Sequence, residues 1–277
     1  MSTKSRASLS MRDALYEAPG PKTRKKVIIG TILSAIAIVI LFALVIRQFY
    51  ITGQLSPKYW SLFLRWPTWR FLLQGFAGTA RAALTAGAIA LVLGLLLMLG
   101  RVSQIKPLSM LCRIITDFFR GVPSLLLIYF FFLVVPQYGI KLSAFWMLTL
   151  PVSLAASGVL AEVFRAGVNA VPKGQTEAAV SLGLSRHKTM MKVILPQAIR
   201  YVIPSLIAQL VVVVKDTTVA YVVSYPDLMQ NARVLITSYD ALVSVYLVAA
   251  VIYILLNFAI NKAAVYISER TSAKIIR

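Results

Sequence analysis

The chain has 277 residues, of which 59% are hydrophobic and 14% are charged. Such an apolar chain excludes a soluble globular domain, and its length allows several membrane spans. Its formal net charge of +20 would favour nucleic-acid binding in a soluble protein, but the basic residues lie between apolar runs, which indicates membrane topology and no nucleic-acid partner. The single cysteine, Cys112, excludes an internal disulfide and a cysteine-based metal site, and we expect it to be a buried apolar side chain.

The N-terminal part predicts a basic tail followed by a membrane helix. Residues 1–26 carry seven Lys and Arg, and an uncharged run over residues 27–46 follows directly. This run is longer than a signal-peptide core and has no small-residue cleavage site before Arg47, so we predict a retained first helix. Residues 47–70 predict an external amphipathic loop, because three tryptophans in it suit the membrane interface: Trp60, Trp66 and Trp69.

Five further apolar segments predict the remaining membrane helices. Each has roughly 18–25 residues, which at 1.5 Å per residue is enough to cross a hydrocarbon layer about 30 Å thick. They are Ala82–Gly100 with an extension back to about Phe71, Pro123–Ile140, Leu142–Ala161, Ile199–Val223 and Ala241–Asn261. The sequence therefore predicts an all-α integral membrane protein with about six transmembrane helices.

The distribution of basic residues predicts the orientation of these helices. With a cytoplasmic N-terminus, the inside segments hold 20 Lys and Arg and the outside segments hold seven, which satisfies the positive-inside rule. Both termini, including a basic tail over residues 266–277, are then cytoplasmic. The polar segment 164–197, between the fourth and fifth spans, lies on the same side of the membrane.

Helix signals predict a hairpin within residues 164–197. Pro172 suits the first turn of a short helix, and Gly183 suits a left-handed cap at its end. Ser185 can cap a second helix, which runs to Pro196 and leads into the fifth span. A long solvated loop without a partner is the alternative interpretation of this composition.

Small side chains and the local motif give the hairpin a candidate role. Ala178 and Ala179 leave one side of the first short helix without large side chains, so that another surface can approach closely. Glu177 adds a charge at the edge of that side. The stretch EAAVSLGLSRHKTMMKVILP resembles the EAA loop of ABC importer permeases, with these residues at the family's spacing: Glu177, Ala178, Ala179, Gly183, Ile194, Leu195 and Pro196.

The resemblance extends over about residues 71–265 of the chain. The stretches AEVFRAGVNAVPKGQTEAA, FFRGVPSLLLIYF and KDTT are similar to the polar amino-acid subgroup of these permeases, which serves histidine, glutamine and glutamate. The stretch APGPK and the extra first helix resemble the glutamate importer permeases of actinobacteria. The family usually has Asn near position 208 or 209 and Ser at 218, where this chain has Ala208, Gln209 and Thr218.

This resemblance implies a type I ABC importer permease core in the bacterial plasma membrane, moving a polar amino acid and favouring glutamate. In such importers two permeases, identical or homologous, form the path, two cytoplasmic ATPase subunits bind and hydrolyse Mg-ATP, and an extracellular binding protein delivers the solute. The hairpin would transmit ATPase closure to the spans. The chain lacks the motif G-x-x-x-x-G-K-[ST], so we expect it to be no enzyme and to hold no cofactor itself.

Ionisable and polar side chains inside the spans are the candidates for solute contact. Arg81 is expected about 15 Å into its helix, near the midplane, where it either binds a solute carboxylate or pairs with a structural acid. Lys215 and Asp216 point about 100° apart and need separate partners, either in the pathway or within the bundle. Gln209, on the same helix, is a further pathway candidate.

Two acid–base pairs have the i, i+3 spacing of helical ion pairs. Asp117 and Arg120 stand at the start of the third span, and Glu162 and Arg165 at the end of the fourth. We expect the first pair to be a structural clamp, with pathway contact as the alternative, and the helix to break there at Gly121 and Pro123. We expect the second pair to anchor the hairpin at the membrane surface. The lone His187 between basic neighbours is expected to be exposed, and the sequence contains no catalytic or metal-ligand constellation.

Hydropathy alone also allows other classes of membrane protein. An ion-coupled secondary transporter or a channel has a comparable number of spans, as does a signalling module, although a transporter typically shows an internal repeat that is not evident between these halves. Copurification with an ATPase favours the importer. Uptake driven by an ion gradient in single-component liposomes favours the secondary transporter.

Overall fold

The computed structural model describes residues 21–272, and the regular structure within that range is helical. Residues 1–20 of the predicted basic tail and residues 273–277 of the C-terminal tail lie outside the described residues. The chain divides into two units, one ending at Ser56 and the other beginning at Pro57.

The first unit contains helix α1, Pro21–Ile51. This helix includes the whole predicted first span and begins six residues earlier, because Pro21 suits a first helical turn and the following lysines and arginine are good helix formers. Most of its large apolar side chains are exposed within the unit. A helix that is apolar on all sides and exposed suits contact with lipid.

The second unit opens with a short helix and a very long one. Helix α2, Pro57–Trp60, continues as a 3-10 turn over Ser61–Leu64, and helix α3 spans Trp66–Arg101. The 36 residues of α3 correspond to about 54 Å, well beyond the hydrocarbon thickness. The predicted span from Phe71 is therefore extended toward the N-terminus, where the proline after Trp66 fits the first turn.

The third predicted span, Pro123–Ile140, is an irregular helical segment, and the helix that precedes it was not predicted. Helix α4, Lys106–Gly121, is followed by α5, Ser124–Tyr129, a wide π-turn over Phe130–Val134 and a 3-10 turn over Val135–Tyr138. The axis bends by 99° between α4 and the segment from Ser124. Proline supplies no backbone N–H, so the prolines before Ser124 and within the last turn break the regular ladder that hydropathy alone predicts.

Helix α6, Ala144–Ala170, is the central element of the second unit. It packs along α3 and α4, and buried residues such as Leu148, Val152 and Leu160 form the main apolar core. Close packing depends on small residues, because a Cβ added to Gly94 of α3 would lie 2.8 Å from the Leu160 Cβ. This contact explains why α3 is glycine- and alanine-rich on its buried side.

The remaining elements complete the bundle. The hairpin contains α7, Lys173–Ser181, and α8, Arg186–Thr189, which passes through a π-turn over Met190–Ile194 into α9. They are followed by α9, Leu195–Asp216 with a 3-10 turn over Thr217–Val223, then α10, Leu228–Tyr239, and α11, Leu242–Ser272.

The described residues include five helical segments long and apolar enough to cross a membrane, or six if the bent α4–α5 pair counts as one span. The predicted number of about six agrees with the larger count. Helix α10 was not predicted, because its residues fall in a segment that the sequence assigned to an external loop. It packs against α3 and α11 and is too short to span a membrane.

Candidate functional site

The first helix of the hairpin begins and ends at the residues that the sequence predicts. Helix α7 follows Pro172 and ends at a left-handed Gly183, whose φ is +76°. The Gly183 N–H donates to the Val180 carbonyl at 2.9 Å, and the Leu184 N–H donates to the Ala179 carbonyl at 3.1 Å. This pair of bonds is the Schellman arrangement, which satisfies carbonyls at a helix end and favours glycine at the left-handed position.

The second helix of the hairpin differs from the prediction at its far end. Ser185 caps it as expected, since its hydroxyl accepts from the Lys188 N–H at 3.5 Å. The helix does not stop at Pro196 but passes through the π-turn over Met190–Ile194 directly into α9. A wide turn before a proline accommodates the missing N–H donor, so the hairpin and the following span are continuous.

The two alanines of the motif face in different directions. Ala178 is exposed together with Glu177, whereas Ala179 is only 3% exposed and packs toward the chain itself. The expectation that both alanines leave an outward surface low is therefore wrong for Ala179. Apolar side chains occupy the outside instead, because Val180 and Leu182 are 53% and 81% exposed. We call Glu177, Ala178, Val180 and Leu182 the hairpin surface.

Contacts within the second unit hold the hairpin at one end of the bundle. Val171, Ile194 and Ala198 form a small buried cluster beneath it. The Gln197 side chain donates to the Gln175 amide oxygen at 3.3 Å. With the Gln104 amide, in the α3–α4 connection, oriented so that its oxygen faces the neighbouring donors, the Arg186 guanidinium donates to that oxygen at 2.6 Å. The hairpin is thus joined both to α9 and to the end of α3.

An arginine–carboxylate cluster lies at the same end and contains both predicted ion pairs. The Glu162 carboxylate is 2.7 Å from Arg165, 3.3 Å from Arg120 and 2.5 Å from Arg101. Asp117 is 3.8 Å from Arg120, as its spacing predicts, and 3.7 Å from Arg101. The cluster therefore joins α3, α4 and α6.

The sequence reasoning missed Arg101, which ends α3 and lies 61 residues from Glu162. The sequence shows that Arg101 follows an apolar segment, but it does not show that Glu162 is its partner, because the packing of α3 on α6 brings the two together.

Near the middle of α3, Arg81 stacks on an aromatic ring. Its guanidinium carbon is 4.7 Å from the centre of the Phe145 ring, and that ring is 5.8 Å from the ring of Tyr225. The Tyr225 hydroxyl donates to the Gly78 carbonyl at 3.1 Å. Among the described residues, Arg81 forms no ion pair. Arg81 is also exposed, so its guanidinium is accessible to a carboxylate from outside the chain.

The position of Arg81 along its helix differs from the expected one. Because α3 begins at Trp66 rather than near Phe71, Arg81 is 15 residues from the start of the helix. It lies level with Phe145, the second residue of α6. Arg81 thus packs near the start of α6, whereas Glu162 and Arg165 of the arginine–carboxylate cluster lie toward its other end. Its midplane position stays a prediction.

Asp227, in the connection between α9 and α10, is buried beside this region. It caps α10 by accepting from the Gln230 N–H at 2.7 Å, and it accepts from the Tyr253 hydroxyl of α11 at 3.3 Å. Burial raises the pKa of the Asp227 carboxyl to about 6, against the opposing effect of these hydrogen bonds. The sequence reasoning missed Asp227, although an Asp followed three residues later by Gln is a capping-box signal.

Two glycines of α3 allow this connection to approach the helix backbone. A Cβ on Gly75 would lie 2.7 Å from the Asp227 carbonyl oxygen, and one on Gly78 would clash with the Pro226 carbonyl. The Thr79 hydroxyl accepts from the Leu228 N–H at 3.0 Å. The start of α10 is thereby fixed to α3, one helical turn from Arg81.

The other pathway candidates lie on α9 and remain separate from Arg81. Lys215 is exposed, Gln209 is partly buried, and the partly buried Asp216 is in contact with the Ser124 side chain. Among the described residues, no hydrogen bond or ion pair joins any two of Arg81, Gln209, Lys215 and Asp216.

Comparisons with known proteins identify the family. Residues 90–273 match the family described as binding-protein-dependent transport system inner membrane component. The chain is 34% identical to the glutamate transport system permease protein GluD of Corynebacterium glutamicum, over 80% of this chain and 82% of that protein. It is 32% identical to the probable glutamine ABC transporter permease protein GlnP of Bacillus subtilis, over 70% of this chain and 90% of that protein.

Among solved structures, a chain of an amino acid ABC transporter crystallised with histidines matches with a TM-score of 0.69 at 28% identity, over 73% of this chain and 94% of that one. The arrangement of spans around α6, the EAA-type hairpin and these relatives agree with one another. The chain belongs to the binding-protein-dependent transport system inner membrane component family and is the permease component of an ABC amino-acid importer.

Proposed function

We propose that this permease forms a translocation path for glutamate and that Arg81 binds a carboxylate of the solute. The observation that carries the proposal is an exposed guanidinium that stacks on Phe145 and has no carboxylate partner among the described residues. Arginine binds carboxylates in a bidentate geometry, and stacking on a ring orients its planar group. The glutamate named for the Corynebacterium relative supports the same choice, while glutamine is named for the Bacillus relative.

The hairpin surface is the proposed docking site for a cytoplasmic ATPase subunit. Exposed apolar side chains such as Leu182 are unusual on a cytoplasmic hairpin unless a partner covers them. Two ATPase subunits would supply Mg-ATP hydrolysis, a second permease chain would complete the path, and an extracellular binding protein would deliver the solute. In this arrangement the hairpin and both termini are cytoplasmic, and the protein lies in the bacterial plasma membrane.

The contacts within the chain suggest how ATPase closure would reach the solute. A movement of the hairpin is passed to the end of α3 through Arg186 and Gln104, and the arginine–carboxylate cluster ties α3 to α4 and α6. Arg101 and Arg81 lie on the same unbroken helix, about 30 Å apart at 1.5 Å per residue. A tilt of α3 would therefore displace Arg81 together with the cluster.

The test of the solute site is uptake of labelled glutamate, glutamine and arginine in a strain that lacks this chain and carries variants of it. Arg81→Gln should lower the uptake rate of glutamate at limiting concentration by about ten- to hundredfold, since hydrogen bonds to charged groups contribute about 1.5–3 kcal/mol. Uptake of the uncharged glutamine should fall less.

Arg233→Gln is the matched control, because the Arg233 guanidinium also stacks on a ring, 4.3 Å from the centre of Tyr221. It should leave the ratio of glutamate to glutamine uptake unchanged. An equal loss for both solutes with Arg81→Gln would assign Arg81 a structural role and reject the proposed contact.

A further inference from the structure

A cationic cavity lies beside α2, at the end of the bundle where α3 begins. It has a cavity volume of about 130 Å³ and is lined by residues of α2, of the segment from Ser61 to Arg65 and of the α10–α11 junction. Lys58 and Arg65 supply its positive charge, and Ser61 and Tyr239 supply hydroxyl groups. Asp240, although next to Tyr239 in the chain, does not line the cavity.

The backbone that carries these groups is fixed by side chains rather than left as a loose loop. Four backbone carbonyl groups in α2 and the 3-10 turn each accept a side-chain hydrogen bond. The bonds are Ser61 Oγ to Lys58 O at 2.8 Å, Ser244 Oγ to Tyr59 O at 3.3 Å, Thr68 Oγ1 to Leu62 O at 2.8 Å and Trp69 Nε1 to Phe63 O at 2.7 Å. Leu62, only 4% exposed, anchors the turn in the cluster formed with α3, α10 and α11.

The described part of the chain contains no ion pair to either cation at the cavity, Lys58 or Arg65. Both side chains are exposed. The Lys58 ammonium lies 5.7 Å from the centre of the Tyr59 ring, which leaves its donors available. Both residues line the same cavity, and Arg and Lys are the usual donors to phosphate oxygens.

The surroundings of the cavity favour an anion at a membrane surface. Trp60, Leu64 and Trp66 are exposed on the same segment, and Leu64 is 88% exposed. Tryptophan is enriched where hydrocarbon meets the headgroups, and an apolar surface beside basic groups is typical of segments that lie in this interface. Two tryptophans and an exposed leucine beside two basic groups are the composition expected of a segment that contacts lipid headgroups.

We propose that the cavity formed by Lys58, Ser61, Arg65 and Tyr239 binds the phosphate of an anionic phospholipid headgroup. Arg65 and Lys58 hold the phosphate oxygens, the hydroxyl groups of Ser61 and Tyr239 contact the headgroup, and Trp60 and Trp66 pack against its acyl chains. The site belongs to the second unit and is independent of the solute contact at Arg81.

The experiment measures lipid binding by the full-length chain, purified in detergent and titrated with phosphatidylglycerol or phosphatidylcholine, with bound lipid counted by native mass spectrometry. The variant Lys58→Gln/Arg65→Gln should weaken phosphatidylglycerol binding at least tenfold and leave the weak phosphatidylcholine binding unchanged. The swap Lys58→Arg/Arg65→Lys, which keeps both charges, should retain most of the affinity.

The control variant Arg70→Gln/Lys141→Gln removes two exposed charges that do not line the cavity. It should bind phosphatidylglycerol like the unmodified chain. Equal losses in the cavity variant and the control would reject a defined site and leave only general charge attraction. Competition by inorganic phosphate at millimolar concentration would also overturn the proposal, because it would identify a site for a free anion.

Discussion

Glu162 is the residue on which the arginine–carboxylate cluster depends. Its side chain is 17% exposed and contacts Arg101, Arg120 and Arg165, which come from three helices. Asp117 also meets several arginines but at 3.7–3.8 Å, and its side chain is 44% exposed. Water screens exposed pairs, so the two acids should differ in their contribution to stability although both were expected to form simple i, i+3 pairs.

Glu162→Gln should lower the free energy of unfolding by about 1–3 kcal/mol, because three guanidinium groups lose the carboxylate that compensates them. Thermal unfolding of the purified chain in detergent, followed by intrinsic fluorescence, measures the change. Asp117→Asn is the matched control and should cost less than about 1 kcal/mol. Equal shifts for the two variants would indicate that the cluster has no central carboxylate.

At the scale of elements, the sequence predicted a helix or its end correctly where neighbouring residues of one segment were sufficient. The uncharged run within α1 and the signals at Pro172, Gly183 and Ser185 each depend on neighbouring residues, so local chemistry was sufficient to predict them. A break of the helix at Gly121 and Pro123 was expected from the sequence. The 99° bend there and the π-turn over Phe130–Val134 were not, because hydropathy averages over a window and carries no information on helix direction.

Contacts between residues far apart in the sequence could not be predicted either. Arg101 and Glu162 meet only because α3 lies along α6, and Asp227 meets Tyr253 because α10 folds back between two spans. The direction of Ala179 was also set by tertiary packing, since the motif requires two small residues but does not say which one faces outward. Sequence reasoning therefore located the hairpin more accurately than its contacting surface.

The hairpin surface leads to a prediction about partner binding. Leu182→Ser replaces an apolar side chain that is 81% exposed, so the fold should be retained while copurification of the ATPase subunit falls at least tenfold. Affinity purification of the tagged chain from membranes, with quantification of the ATPase, measures the effect. Leu64→Ser, at a similarly exposed leucine near the opposite end of α3, should leave ATPase recovery unchanged. Full recovery with Leu182→Ser would contradict docking at this surface.

At the scale of the whole second unit, α3 connects two ends with different electrostatics. At one end, arginines form ion pairs with the partly exposed Glu162 and the exposed Asp117. Toward the other end, Asp227 is fully buried and accepts from hydroxyl and backbone donors, and within residues 21–272 it forms no ion pair. Because Asp227 joins α10 to α11 and its connection rests on the glycines of α3, its protonation affects the packing of three helices at once.

This arrangement makes the stability of the unit depend on pH in a defined direction. The pKa of Asp227 is raised from 3.8 to about 6 in the folded chain, so the folded state binds a proton more tightly than the unfolded state does. The resulting stabilisation is complete below pH 3.8, the unfolded value, and is lost as the pH rises through about 6. Between pH 7 and pH 5 the unit should gain about 1 kcal/mol from this carboxyl group.

Asp227→Asn isolates that contribution, because asparagine also caps helices but does not titrate. Thermal unfolding of the unmodified chain and the variant at pH 5, 6, 7 and 8 gives the difference in stability at each pH. Relative to the variant, the unmodified chain should lose about 1 kcal/mol between pH 5 and pH 7 and little more above that range. A difference that is constant with pH would mean that the Asp227 carboxyl group is ionised throughout, and that burial among α3, α10 and α11 does not control its protonation.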